Sequence, residues 1–422
     1  MNYITKEDII VFSPEFNEII DNVLLVNYKK VIFSDYELTD NLFDNYENDY
    51  FKDCKWIGSK FNQKVDLPPN LTHLTFGDDF NQKVNLPKKL THLTFDVYFN
   101  QKVDLPPNLT HLTFNCFSKF NQKVVLPPNL THLTFDCYSK FNQKVDLPPN
   151  LIHLTFSHWF NQKVNLPKKL THLTFGVYFN QKVDLPQNLI HLTFGEKFNQ
   201  KVYLPQNLTH LTFGYYFNQK VKLPLNLTHL TFGEKFNQKV DLPHNLIHLI
   251  FDYEFNQEVN LPNNLIHLTF GEKFNQKVDL PVNLTHLIFD YEFNQEVNLP
   301  QNLTHLEWYC NQKVDLPQNL TYLKWYCNQK VDLPINLTHL TLGENFNEKI
   351  DLHWNLKYLC LNCEETIMID YLPDSLEELE LGEEFNSSLD NLPISLKTLK
   401  ISNKYAKNRL NNLPKNVQVI YH

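Results

Sequence analysis

Glycine is scarce in this chain, nine residues among 422, which excludes a flexible or low-complexity polymer. Basic charge is short as well: 38 Lys and Arg stand against 47 Asp and Glu, for a net charge of -9. A nucleic-acid-binding surface needs the opposite balance, so no nucleic-acid partner is expected. No stretch approaches the roughly 18 consecutive apolar residues of a membrane-spanning helix, and no membrane association is expected. The N-terminal Met1 to Asp8 lacks a basic segment leading into an apolar run, so no secretory leader is expected. The seven cysteines (Cys54, Cys116, Cys137, Cys310, Cys327, Cys360, Cys363) are odd in number and irregularly placed, unlike a disulfide framework. Reduced thiols and a soluble cytoplasmic protein are the expectation. The pair Cys360-x-x-Cys363 has no second pair to complete a zinc site.

What is present is a repeat. Phe-Asn pairs start at 61, 80, 99, 120, 141, 160, 179, 198, 217, 236, 255, 274 and 293, spaced by 19 residues except for two steps of 21. Two 17-residue units follow with Cys310 and Cys327 in place of Phe, and Phe346, Tyr371, Phe385 and Tyr405 continue the series. About 19 units therefore fill residues 61–422. In the unit Phe198 to Tyr216, Leu208, Leu211 and Phe213 follow an L-x-x-L-x-L spacing. Strand alternation sends Leu211 and Phe213 inward and His210 and Thr212 outward. Eighteen of the 23 prolines sit in Leu-Pro corners, where a missing N–H is tolerated. No segment keeps a helical period over ten or more residues. A unit this short cannot bury its own Leu and Phe, but stacked neighbours bury them for each other. The expected fold is mainly β: a leucine-rich-repeat-like right-handed solenoid of about 19 short coils with a stacked parallel β-sheet. Stacking predicts ladders of Phe on Phe, Leu on Leu and Asn199-type amides on one another.

These residues, Phe-Asn, then Leu-Pro, then L-x-x-L-x-L, make the chain resemble the FNIP-repeat proteins, leucine-rich-repeat relatives known from social amoebae and giant DNA viruses. Where that tetrapeptide has Ile-Pro, this chain has Gln-Lys or Gln-Glu. The resemblance implies a non-enzymatic protein-interaction scaffold, in the host cytoplasm for a viral member, with no catalytic or cofactor residues to carry over. Some relatives carry an N-terminal F-box, which implies an alternative: a substrate-recognition adaptor that contacts ubiquitin-ligase subunits.

Residues 1–56 are expected to form a small mixed α/β cap, or a diverged F-box, and residues 57–422 the solenoid. Ser13 to Leu25 reads as a short amphipathic helix with Ser13 as N-cap and Pro14 at its first position. Lys30 to Ser34 and Cys54 to Gly58 read as strands, the second expected to precede the first full coil.

No G-x-S-x-G, H-E-x-x-H or phosphate-binding loop appears, and nearly every polar residue is one copy of many; an enzyme is not expected. Fourteen histidines share one register, among them His73, His92, His111, His132, His153, His172, His191 and His210. They are expected to form an outward column beside Thr75, Thr94, Thr193 and Thr212. Imidazoles suit a metal, but a metal site needs converging ligands rather than a row, so a protein-binding face is expected, with no cofactor. Stacked imidazoles oppose one another's protonation, so the column should be neutral at pH 7. Lys64, Lys83 and their equivalents, with Asp66 and Asp104, read as a solvated face. The turns before Phe-Asn vary most, and Tyr98, Phe117, Tyr138, Trp159, Tyr178, Tyr215 and Tyr216 are the expected contacts for a protein partner. A monomer is expected.

Overall fold

The computed structural model describes residues 2–39, 54–348, 350–362, 372–383, 392–402, 413–415 and 417–421. Cys363 and the starts of the units at Tyr371, Phe385 and Tyr405 lie outside them. The chain divides into two compact units, residues 1–224 and 225–422, and each is described by itself.

The first unit opens with β1 (Tyr3–Lys6), β2 (Ile9–Phe12), the single-turn helix α1 (Asn22–Leu25) and β3 (Lys30–Phe33). Eight repeat strands follow, from β4 (His73–Thr75) to β11 (His210–Thr212). The second unit holds eleven, from β12 (His229–Phe232) to β22 (Gln418–Tyr421). Repeat strands pair in parallel and in register, for example His92 opposite His111 and Leu93 opposite Leu112. The solenoid expectation therefore holds, with short strands as its only regular element among the described repeat residues.

The in-register stack explains the core. Inside one coil the strand Phe faces the Phe of the next Phe-Asn pair, as with Phe76 and Phe80 at 3.6 Å between ring centroids. The same pairing recurs at Phe95 and Phe99, 3.7 Å, and at Phe194 and Phe198, 3.9 Å. Between coils each ring stacks on its copy, Phe156 on Phe175 at 5.5 Å. All of these rings are buried, and such offset aromatic contacts add to the burial itself. In the two 17-residue units, Cys310 and Cys327 replace one Phe while Trp308 and Trp325 replace the other. A smaller side chain beside a larger one conserves volume, and all four are buried. The indole N–H groups donate to the carbonyls of Gln312 and Gln329, both at 3.1 Å.

The polar frame is equally repetitive. The Leu-Pro corners close turns in which the apolar residue three positions after Pro donates its N–H to the Pro carbonyl, as Leu71 to Pro68 at 3.1 Å and Val417 to Pro414 at 3.2 Å. In the 19- and 21-residue coils the Asn Oδ1 typically accepts twice from the following coil: Asn161 Oδ1 from Asn180 N at 3.0 Å and from Gln181 Nε2 at 3.1 Å. The Gln that departs from the family tetrapeptide is thus the second rung of the Asn ladder.

Two expectations for the N-terminal segment are corrected. Cys54 to Gly58 makes only a single bridge, Tyr36 with Trp56; the strand before β4 is β3, with Val31 opposite Leu74. Ser13 to Phe16 forms a turn, Phe16 N–H donating to Ser13 O at 3.0 Å, and the helix is only α1, capped by Asp21. Phe16 belongs instead to the ring stack, 5.9 Å from Phe61, and Asn17 Oδ1 accepts from Asn62 N at 3.0 Å. Phe16-Asn17 is therefore a Phe-Asn pair of the solenoid, and β2 and β3 are its first parallel strands. Between Phe33 and Phe61 the described residues 34–39 and 54–60 stand where an ordinary coil has three residues, Gly77 to Asp79 for example.

Candidate functional site: strand face and turn edge

The repeat puts His on the outer side of every strand between two inward residues. In the first unit His73, His92, His111, His132, His153, His172, His191 and His210 are partly exposed, with rings stacked 4.1–4.5 Å apart. Thr193 and Thr212 lie partly exposed beside them. Where a Thr precedes the His, its hydroxyl sets the tautomer. Thr91 Oγ1 donates its only proton to the Thr72 carbonyl at 3.0 Å and lies 2.9 Å from His92 Nδ1. Nδ1 must then be the protonated nitrogen, which leaves Nε2 as an acceptor. Ile152, Ile190, Ile247 and Ile266 replace this Thr, so His153, His191, His248 and His267 lack that hydroxyl.

Burial, and second the neighbouring imidazoles, holds His111, His132 and His153 below the usual histidine value. His92 and His286 are pushed down to about 4 for the same reasons. Ring–ring repulsion, the cause anticipated from the sequence, is the smaller contribution; desolvation comes first. Parallel rings in a row do not converge. Among the described residues the one group of three close metal-type ligands is Asp35, Asp78 and Asp96, none of them in the column.

That carboxylate cluster was not legible in the sequence. Asp35, from the long insertion, accepts from Ser59 N at 2.7 Å and Asp78 N at 2.9 Å. Burial raises Asp78 to about 6 and Asp96 to about 8, and Asp96 is hydrogen-bonded to Asp35. One carboxyl keeps its proton and donates it to the other, which lets two acidic groups share a dry site.

The turn edge of the first unit carries two adjacent columns. Next to the Phe-Asn pair stand Tyr98, Lys119, Lys140, Trp159, Tyr178, Lys197 and Tyr216; before them stand Phe117, Tyr138, His158 and Tyr215. Lys119 Nζ lies 3.8 Å from the Tyr98 ring centroid and Lys197 Nζ 4.0 Å from that of Tyr216. Trp159 stacks on Tyr178 at 4.4 Å and Phe117 on Tyr138 at 5.0 Å, while Tyr215 leans on Tyr216 at 4.6 Å. Tyr98, Phe117, Tyr138, Trp159, Tyr178 and Tyr216 are exposed despite these contacts. The turns carry their own backbone ladder, with Tyr178 N–H on His158 O at 3.0 Å and Tyr216 N–H on Glu196 O at 2.8 Å.

In the second unit the equivalent edge is charged and internally paired. Lys235 bridges Glu234 and Glu254 at 3.2 and 3.0 Å, and Tyr253 Oη donates to Glu272 at 3.0 Å. Lys273 pairs with Glu272 and Glu292. The strand face there departs from the repeat instead. Ile250 and Ile288 replace Thr, and with His248, His267, His286 and His305 they line a groove of about 350 Å3.

The cysteines divide by position. Cys310 and Cys327 are buried, and burial pushes the Cys327 thiol up to about 12. The reduced state expected for Cys116 and Cys137 is corrected: they are joined by a disulfide. The lengthened turns of two successive coils set them side by side, Cα to Cα 4.7 Å.

A solenoid of Phe-Asn units on an in-register parallel sheet defines a leucine-rich-repeat-like protein. The FNIP Repeat family model matches overlapping segments spanning residues 61–310 and again residues 365–404, and the chain belongs to that family. Among solved structures, the giant-virus protein CroV588, described as a novel circular LRR protein, is 36% identical with a TM-score of 0.63; the likeness covers 100% of this chain and 80% of that one. YopM from Yersinia enterocolitica WA-314 shares the fold at 22% identity and TM-score 0.52, over 86% of this chain and 85% of its own. No curated protein sequence matches the chain. Among the described residues no helix is long and apolar enough to cross a membrane.

Proposed function

We propose that the chain is a non-enzymatic cytoplasmic scaffold that binds a protein partner along the turn edge of its first unit, from Tyr98 to Tyr216, beside the His/Thr strand face. The observation that carries this reading is the exposed aromatic ridge held on hydrogen-bonded turns. Aromatic anchors with little freedom left to lose are what protein interfaces use as hot spots. The matching edge of the second unit has spent its charges on one another, so it offers a partner little. The acidic net charge supports a protein rather than a polyanion as the ligand. The ubiquitin-ligase alternative draws no support from residues 2–39, since β2 and β3 lie in the solenoid register and favour a capping role.

The test uses photo-crosslinkers placed at Val97 and Val177 in the full chain to identify the partner, followed by binding measurements with purified protein. Replacing Tyr98, Trp159 and Tyr178 together by Ala should weaken binding by at least about tenfold, the scale of one lost hot spot. The control variant Tyr253→Ala with Tyr291→Ala should bind as the parent does. Equal affinity of the folded triple variant would move the contact surface off this edge.

A further inference from the structure

We propose that Cys116 and Cys137 form a reversible thiol–disulfide exchange site on the turn edge, whose reaction partners are low-molecular-weight thiols and disulfides of the glutathione type. The inference starts from where the two residues fall. They occur in the two units that are 21 residues long, at matching places in the lengthened turns. The residue after each cysteine, Phe117 and Tyr138, has a left-handed φ of 63° and 56°. The extra residues thus give the two turns one shared shape. Backbone hydrogen bonds already tie them together: Phe117 N–H donates to Cys137 O at 2.9 Å, and Lys140 N–H to Ser118 O at 2.9 Å.

The register therefore holds the sulfur-bearing residues side by side with or without the bond. A pair preorganised in this way recloses readily after reduction, whereas a bond that alone held its segments together would not. Access is unequal. Cys137 is exposed and Cys116 half-buried, while Cys310, Cys327 and Cys360 are buried. An accessible thiol beside a resolving thiol is the arrangement of redox-responsive cysteines, and disulfides of reducing compartments are mostly of this transient kind.

The step balances as follows. In oxidation the Cys137 thiolate attacks glutathione disulfide, forming a Cys137–glutathione mixed disulfide and releasing one glutathione thiolate. The Cys116 thiolate then attacks the Cys137 sulfur, closes the protein disulfide and releases the second. The two protons of the protein thiols end on the two glutathiones, and two electrons pass from protein to glutathione disulfide. In reduction a glutathione thiolate attacks the exposed Cys137 sulfur and Cys116 leaves as its thiolate; a second glutathione thiolate then attacks the glutathione sulfur of the mixed disulfide, freeing Cys137 and forming glutathione disulfide.

The experiment equilibrates the full chain in glutathione redox buffers, traps thiols by alkylation and reads each cysteine by peptide mass spectrometry. Cys116 and Cys137 should convert together with a midpoint inside the range that the buffers span, while Cys310 and Cys327 stay unlabelled until the protein is denatured. Cys116→Ser should accumulate the glutathione adduct on Cys137, and Cys137→Ser should yield far less adduct on Cys116. A bond that resists every buffer would make the pair a static staple and overturn the proposal. So would two free thiols in fully oxidised buffer, or a stable glutathione adduct in the unsubstituted chain. The wild-type titration alone decides these outcomes if either variant fails to fold.

Discussion

At the scale of single residues, the Asn ladder makes the sharpest demand. Each Oδ1 satisfies a backbone N–H and a Gln amide of the next coil, so its loss leaves two donors without their acceptor. Asn161→Ala should lower unfolding stability by roughly 1–3 kcal/mol, whereas Asn161→Asp, which keeps an acceptor, should lose less. Urea denaturation of the two variants side by side separates the cases. The titrating residues pull stability in opposite directions. Histidines held below 6.5, to about 4 at His92 and His286, leave the folded chain with fewer protons than the unfolded one. Stability is then full above pH 6.5 and falls as pH drops toward 4. The melting temperature should be lower at about pH 5.5 than at about pH 7.5; equal values would rule out the His column as a source of acid sensitivity. Asp96, raised to about 8, does the reverse, because its stability contribution is lost as pH rises through that value. Asp96→Asn keeps a donor toward Asp35 and should remove from the same melting curve the fall in stability that Asp96 causes between pH 3.8 and about 8. The His column could be read in the sequence because it repeats. The Asp cluster could not, because its three members come from an insertion and two successive turns.

At the scale of the coil, short strands and Leu-Pro corners were legible because a 19-residue period leaves few other ways to bury Leu and Phe. The turn before Phe-Asn was legible as variable, but the pairing of Lys119 with Tyr98 and of Trp159 with Tyr178 needed the rung geometry. The first coils were misread for a physical reason. Phe16-Asn17 has no Leu-Pro corner after it, and the insertion at residues 34–60 hides its spacing from Phe61. The segment Ser13 to Leu25 is not one helix because stacking on Phe61 claims Phe16, and Ile19 and Val23 are exposed. Glycine's scarcity also has its account at this scale. Every glycine except Gly58 follows a strand, where coils approach most closely: a Cβ at Gly176 would lie 1.7 Å from the Ser157 carbonyl oxygen. Gly176→Ala should therefore destabilise by about 1–3 kcal/mol, read by chemical denaturation, although Ser157 and Asp96 hold the same position in coils whose backbone accommodates them.

Each unit's stability is a sum over neighbouring coils, since a coil touches little beyond the ones on either side. The open end is the vulnerable part. Phe33 lies 3.9 Å from Phe61 and β3 pairs with β4, so a chain beginning at residue 57 would expose the Phe61 and Leu74 layer. Light scattering should find that chain aggregated at concentrations where the full chain is not. A dispersed, fully folded product would show that the first two parallel strands are dispensable as a cap.

The regular stacking has one more consequence, for how such a chain changes length. A coil hands on to the next the same hydrogen-bond pattern it received, so removing Phe198 to Tyr216 as one block joins Lys197 to Phe217 and keeps the kind of neighbour at the core and Asn-ladder positions, while Lys197 on the turn edge loses its Tyr216 partner. Because successive units are so alike, a whole 19-residue block is the increment by which such a solenoid can lengthen or shorten without disturbing its core. Variation by that route would change the number of anchors on the ridge, and so the reach and valency of binding, while the fold stays as it is.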